Sequence, residues 1–267
     1  MDLKEIITDA VKYPLIDTQK FLIFCALTII MSLSTILPSY GFNNDTASIV
    51  LTIVSLIVSV IILGYSVEVI KGGTEMKDTL PDYDYVKQFV IGIKALILNI
   101  IYFIIPAFIV LIIASASGLF TSFTQIVYAS IEAVANDANN LTMIMAAIPQ
   151  STMNTFTNAL TVTLIAAVIL FVLFSLISFT GLVRFAKTGS GTEGLRFKKI
   201  FEDMKKIGFA KIIYTLIAIY IIAFAMSVVV ALIGLIPYIG VFIGIFIAVP
   251  FIQLFFYRAI GLLYADA

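Results

Sequence analysis

Residues 64–97 read GYSVEVIKGGTEMKDTLPDYDYVKQFVIGIKALI: one apolar run, a wet joint, and a second apolar run. The joint holds the acids Glu75, Asp78, Asp82 and Asp84, with Lys71, Lys77 and Lys87 among them. A carboxylate cluster for a metal and a membrane-surface joint are the competing readings. Calcium takes six or more oxygens from a tightly spaced loop with glycine at its sharp bend. These acids lack that spacing, and lysines neutralise them. Leu80-Pro81-Asp82 looks instead like a helix start, with Asp82 as cap and Asp84 in the first turn. Tyr83 and Tyr85 then sit at headgroup depth, where tyrosine is favoured. The stretch therefore reads as a membrane-surface joint between two spans.

Composition extends this reading to the whole chain. Of 267 residues, 61% are hydrophobic and 12% charged, and mean hydropathy is +1.13. Globular chains carry roughly a quarter charged residues, so the surround that suits this surface is lipid. Lysine plus arginine equals aspartate plus glutamate at 16 each, which gives no reason to expect nucleic acid as a partner. There is no histidine, which removes the usual neutral-pH acid–base group and the commonest metal ligand. The one cysteine, Cys25, lies in an apolar run and forms neither an internal disulfide nor a thiolate cage. No metal or other cofactor is expected. The first residues, MDLKEIITDAVKYP, are mixed in charge and amphipathic, unlike a secretory signal.

A span needs about 20 mostly apolar residues. Six segments qualify: 21–37, 48–70, 89–114, 160–183, 209–236 and 238–262. They predict an all-α membrane protein, a single polytopic domain over 1–267. The last two segments are one apolar run cut at IPYIG (236–240), a tight turn. The lysines and arginines fall in the N-terminal segment, in the second and fourth connections or just inside the spans that follow them (Lys94, Lys211), and near the C-terminus; the first, third and fifth connections have none. The positive-inside rule then places both termini in the cytoplasm of a cell-membrane protein. The outer side carries one long loop, 119–159, in which Phe120, Phe123, Val127, Ile131 and Val134 recur at helical spacing. Two glycosylation sequons, at Asn44 and Asn140, fall in outer loops.

Three cytoplasmic segments resemble one another. Leu3, Ile6, Ile7, Ala10 and Val11 share one helix face, as do Phe197, Ile200, Phe201 and Met204; the shorter middle copy is 82–89. Each precedes an odd-numbered span and reads as a short interfacial helix. Lys71-Gly72-Gly73-Thr74-Glu75 is echoed in Lys187…Gly191-Thr192-Glu193. Three pseudo-repeated helical hairpins, each preceded by an interfacial helix, are expected.

Charges inside a membrane are functional candidates by default. Here Glu68, Lys94, Arg184, Lys211 and Arg258 all lie within about two turns of a cytoplasmic helix end and snorkel to water. Glu68 is expected to pair with Lys94 or Arg184 at the inner mouth. Asn99, Tyr102 and Tyr220 are the candidate mid-membrane polar site, with Pro106 and Pro250 as helix interruptions. Lys198, Lys199, Lys205 and Lys206 are the candidate contacts to anionic headgroups. No P-loop, nucleophile elbow, HExxH or CxxC occurs, so an enzyme is not expected.

VKYPLID (11–17), GYSVEVIKGG (64–73), LPDYDYVKQFVIGIKALI (80–97) and IPYIG (236–240) together resemble domain-of-unknown-function family 4013. The resemblance covers most of the chain and weakens in the outer loop. It implies an integral membrane protein of mostly archaeal, methanogen-like hosts, and no catalytic or binding residues. The residues favour a non-catalytic membrane component that binds lipid or a protein partner through its basic interfacial helices. A small permease, resting on Asn99, Tyr102, Pro106 and Pro250, is the alternative.

Overall fold

The computed structural model describes the chain apart from Asn43, residues 237–239, 241–242 and 266–267, and the side chains of Ser39 and Ile245. Among the described residues every regular element is helical. They are α1 (Leu3–Lys12), a 3-10 turn (Tyr13–Leu15), α2 (Thr18–Ser39), α3 (Asp45–Thr74), α4 (Tyr85–Ala116), α5 (Leu119–Ala135), α6 (Leu141–Ala147), α7 (Gln150–Thr188), α8 (Gly191–Gly194), α9 (Phe197–Ile207), α10 (Phe209–Gly234), a π turn (Gly244–Ala248) and α11 (Val249–Leu263).

Six of these are long and apolar enough to cross a bilayer: Thr18–Pro38, Asp45–Thr74, Tyr85–Ala116, Gln150–Thr188, Phe209–Gly234 and Phe246–Leu263. The protein is a multi-pass helical membrane protein, in which each spanning backbone satisfies its own polar groups. Within IPYIG, Pro237, Tyr238 and Ile239 lie outside the described residues.

Polar side chains set the helix starts. Asp2 and Glu5 form a reciprocal capping box on α1, and Asp17 Oδ1 accepts from Lys20 N at the start of α2. The two sequon asparagines are both caps: Asn44 accepts from Ala47 N and Asn140 from Met143 N. Each such cap contributes about 1 kcal/mol. At α4 the cap is Asp84, which accepts from Lys87 N at 3.0 Å. Asp82, the residue the sequence favours there, pairs with Lys20 instead. Residues 80–84 form no helix, and Tyr85–Phe89 are the first turns of α4, so no separate short helix precedes this span. The cause is that Tyr65 and Tyr83 hold the segment extended: Tyr65 Oη donates to Pro81 O, Tyr83 Oη donates to Lys20 O, and the two rings stack 4.7 Å apart.

The region 119–159, expected as a loop with a partial helix, is helical almost throughout, and α7 begins at Gln150. The polar run at the start of α7 finds its hydrogen-bond partners within the helix. Thr155, Thr157 and Thr161 donate to the carbonyls of Ser151, Met153 and Thr157, so these hydroxyls are satisfied without leaving the helix. At 39 residues α7 is about 58 Å long. That exceeds a hydrocarbon core of about 30 Å.

The chain forms two compact units, residues 1–99 with 177–267, and residues 100–176. In the second unit Gly118, at φ +81°, takes the left-handed turn between α4 and α5, a conformation that glycine adopts without strain. Phe103 stacks on Phe171 and Phe123 approaches Phe156. The Phe120, Phe123, Val127, Ile131 and Val134 stripe is helical, but all five side chains are exposed. In lipid no hydrophobic force draws such a stripe inward.

In the first unit α3 is the central helix, packed against α2 on one side and α11 on another. Its core joins Tyr13, Phe24, Val58, Ile62, Tyr65, Val69, Leu80 and Leu254. Without a hydrophobic force between them, membrane helices associate by close packing, which small residues permit. Two glycine pairs supply it. A Cβ on Gly64 would lie 1.8 Å from Gln88 O, and one on Gly92 1.9 Å from Val60 O, so α3 and α4 touch backbone to backbone. A Cβ on Gly261 would lie 2.4 Å from Ile70 O, and one on Gly73 2.8 Å from the Gly261 Cα, so α11 also meets α3 backbone to backbone.

Candidate functional site

These crossings gather charged helix ends of the first unit into three clusters. The first is built on Arg258 near the end of α11, which is fully buried. Its Nε donates to Asp9 Oδ1 at 2.7 Å and its Nη2 to Asp9 Oδ2 at 3.1 Å, a bidentate fork. Nη1 donates to Lys77 O at 2.6 Å, and Nη2 reaches Asp78 Oδ1 at 3.4 Å. The guanidinium lies 4.5 Å from the centroid of the Tyr13 ring, a favourable cation–π position. Tyr13 in turn donates to Thr79 O. Burial pushes the Tyr13 phenol up to about 12, against the pull of Arg258. Arg258 thus does not snorkel to water as its sequence position implies. The N-terminal helix, the α3–α4 joint and the last span enclose it.

The second cluster is Arg184 near the end of α7. Its Nη1 bonds Asp203 of α9, and its Nη2 donates to Glu193 Oε2 of α8 at 3.0 Å. Arg196 takes the other Glu193 oxygen at 2.5 Å. The hydrogen bond from Arg184 holds the Glu193 carboxyl below its ordinary range.

In the third, Glu68 of α3 accepts from Lys87 Nζ at 2.5 Å and Gln88 Nε2 at 2.9 Å, both on α4. The inner-mouth pairing of Glu68 with Lys94 or Arg184 is therefore not the one formed. The close Gly64–Gln88 approach puts the first turn of α4 against Glu68, while the acids of α8 and α9 take Arg184. Lys94 borders, together with Glu68, Lys71 and Lys87, a cavity of about 160 Å³. Gln88 also donates to Asp82 O. Its Oε1 is buried without a partner.

The acids of the joint are dispersed among these clusters. Glu75 meets Lys77 at 2.6 Å, Asp78 faces Arg258, Asp82 meets Lys20 at 2.7 Å, and Asp84 caps α4. Lys77 lowers the Glu75 carboxyl and Lys20 that of Asp82, in each case chiefly through a hydrogen bond. Among the described residues no three His, Cys, Asp or Glu converge.

Of the mid-membrane residues, Asn99 accepts from Ser178 Oγ at 3.3 Å and Tyr102 is fully buried. Tyr220 is 48% exposed, and its ring packs against Phe256 and Phe179. No hydrogen bond joins it to Asn99. An aromatic cluster holds Tyr220 because α10 presents that face to α11. Lys198, Lys199, Lys205 and Lys206 are exposed along α9, whose Ile200 and Met204 are buried.

Sequence reasoning passed over Asp9, Asp203, Gln88 and Gln253. A signal for two of them was present: Asp9 and Asp203 stand three residues after Ile6 and Ile200, a spacing that puts each at the edge of the apolar face. A carboxylate beside that face needs a cationic partner.

No curated protein and no solved structure matches the chain. A family model does, over residues 47–235, a span that contains the Arg184 and Glu68 clusters but neither Arg258 nor Asp9. The chain belongs to the family described as protein of unknown function DUF4013.

Proposed function

We propose that this chain is a non-catalytic component of the cell membrane whose charged face, on the cytoplasmic side, binds anionic lipid headgroups. The observation that carries this reading is α9. Its inner face is pinned by buried Ile200 and Met204 and by the Asp203–Arg184 pair, while Lys198, Lys199, Lys205 and Lys206 stand exposed beside exposed Phe197 and Phe201. Phenylalanines with lysines suit the headgroup layer. The ion pair makes the helix a fixed platform.

Native mass spectrometry of the detergent-purified protein with phosphatidylglycerol and phosphatidylcholine tests it. Replacing all four lysines by glutamine is expected to remove the preference for phosphatidylglycerol, at about fivefold per lysine. An unchanged preference would overturn the reading.

The cytoplasmic placement of both termini rests on the distribution of lysine and arginine. In a Cys25→Ser background, Ser130→Cys is expected to react with an impermeant maleimide from outside the cell, and Ser190→Cys only after permeabilisation. The opposite pattern reverses the topology.

Pseudo-repetition gains support from α1 and α9. Ile6, Asp9 and Ala10 of α1 match Ile200, Asp203 and Met204 of α9 in spacing and burial, and each aspartate is bound by an arginine near the end of a spanning helix. The α3–α4 joint has the reversed sign, Glu68 with Lys87.

A permease is the second reading. It draws on Ser55 Oγ, Thr215 Oγ1 and Gln253 Oε1, polar atoms of spanning helices that are buried without partners.

A further inference from the structure

We propose that the cavity between the charged ends of α3, α4 and α7 holds one anionic phospholipid, whose phosphate is bound by Lys94. The cavity has a volume of about 160 Å³, and its apolar wall is Val67 of α3, Ile91 of α4, and Phe185 and Ala186 of α7. A dry cavity of roughly 150 Å³ lodges a benzene. This one therefore takes a short stretch of glycerol and acyl chain, the rest of the lipid staying in the bilayer.

Lys94 supplies the charge. It borders the same cavity as Lys87 and Ile91, which stand seven and three residues before it on one face of α4. Among the described residues its ammonium meets no acid and no hydrogen-bond acceptor. The other cations are matched. Lys87 is paired with Glu68 at 2.5 Å, and Lys71 with Glu75 at 4.0 Å. Glu75 is shared with Lys77, and Asp84 lies close enough to act on Lys87. On α7, Arg184 is engaged by Glu193 and Asp203, and Lys187 is engaged as well, so neither adds to the count. Lys71, Lys77, Lys87 and Lys94 thus face Glu68, Glu75 and Asp84, and the one unmatched charge is that of Lys94.

Depth selects a lipid as the occupant. Lys94 lies about 14 Å along α4 from Tyr85. Helical side chains tilt toward the helix N-terminus, so its exposed stem leads the ammonium back toward the headgroup layer. A phosphodiester there offers one negative charge and accepts charge-assisted hydrogen bonds from the ammonium. A free phosphate would give up its water against an apolar wall. Phosphatidylcholine carries its own cation and leaves Lys94 uncompensated.

The inference shares its membrane placement with the headgroup reading but uses none of the α9 lysines, and the test is local. Phosphatidylglycerol with a photoactivatable diazirine near the carboxyl end of one acyl chain is added to the full chain in detergent. Labelled peptides are mapped by mass spectrometry after irradiation. Label is expected at Val67, Ile91 or Phe185. It should fall about fivefold in Lys94→Gln, the equivalent of one basic residue, and persist in Lys94→Arg. Lys94 is exposed, and an unchanged unfolding midpoint confirms that each variant folds. The competition arm needs no variant: unlabelled phosphatidylglycerol should displace the probe, whereas equal phosphatidylcholine or inorganic phosphate should not. Displacement by inorganic phosphate would overturn the lipid as occupant. Equal label in wild type and Lys94→Gln would overturn Lys94 as the phosphate ligand. Label confined to residues 197–207 would overturn the cavity and leave the α9 reading standing. Label in the cavity with none on α9 would uphold the cavity and count against that reading.

Discussion

Replacing Arg258 by leucine is expected to destabilise the protein by about 3–5 kcal/mol, the range for removing one partner of a buried ion pair. The side chain is fully buried, so none of its charge is screened by water. Its removal leaves Asp9 without its two-point partner and Lys77 O without a donor. Asp78 adds little, being exposed at the rim. Arg258→Lys keeps the charge but loses the fork and the planar face over Tyr13, and is expected to recover only part of the loss. Asp9→Leu combined with Arg258→Leu should be less harmful than the sum of the two, since both charges then leave the interior. Unfolding in detergent measures the stability. Limited trypsinolysis adds a local readout: α1 is otherwise held by buried Ile6 and Ala10, and loss of the Asp9 fork should raise cleavage at Lys4 and Lys12 in Arg258→Leu. If Arg258→Leu unfolds and digests like the wild type, the cluster does not hold α1.

Placing leucine at Gly64 is expected to have an effect of similar size. Even a Cβ there would stand 1.8 Å from Gln88 O, and backbone cannot rotate away as a side chain can. The helices must part. Overpacking alone costs about 1–3 kcal/mol, and parting α3 from α4 also lengthens Glu68–Lys87 and Glu68–Gln88. Gly92→Leu should behave alike, because its Cβ would meet Val60 O from the other side of the same crossing. Gly191→Ala is the control: nothing lies within 4 Å of its Cβ, so it should be neutral or stabilise by about 0.4–1 kcal/mol. A Gly64→Leu variant as stable as Gly191→Ala would show that the crossing tolerates separation.

The lysine row of α9 was legible in advance because amphipathic period and exposure go together: Ile200 and Met204 recur at helical spacing and are buried, and the lysines flanking them are exposed. The pairings were less legible. Lys94 and Arg184 were the bases nearest to Glu68 in expected depth, but Lys87 and Gln88 reach it. Tyr220 was placed by depth alone, and depth does not say which face of α10 it occupies. Residues 150–159 read as the end of an outer loop in the sequence, yet they form the first turns of α7, where hydroxyls are satisfied by carbonyls of the same helix.

The sequence by itself determined the solvent, the helical class, the six spanning segments and the ends at which charge collects. Those properties add up locally: about 20 apolar residues decide a span whatever surrounds them, and unpaired backbone in lipid leaves little choice but a helix. Only the tertiary structure decided that Arg258 is sealed inside with Asp9, 249 residues away in sequence, and that Glu68 belongs to Lys87. An ion pair is settled by contact geometry of a few ångströms, and glycines 64, 73, 92 and 261 set that geometry by bringing distant helix backbones together.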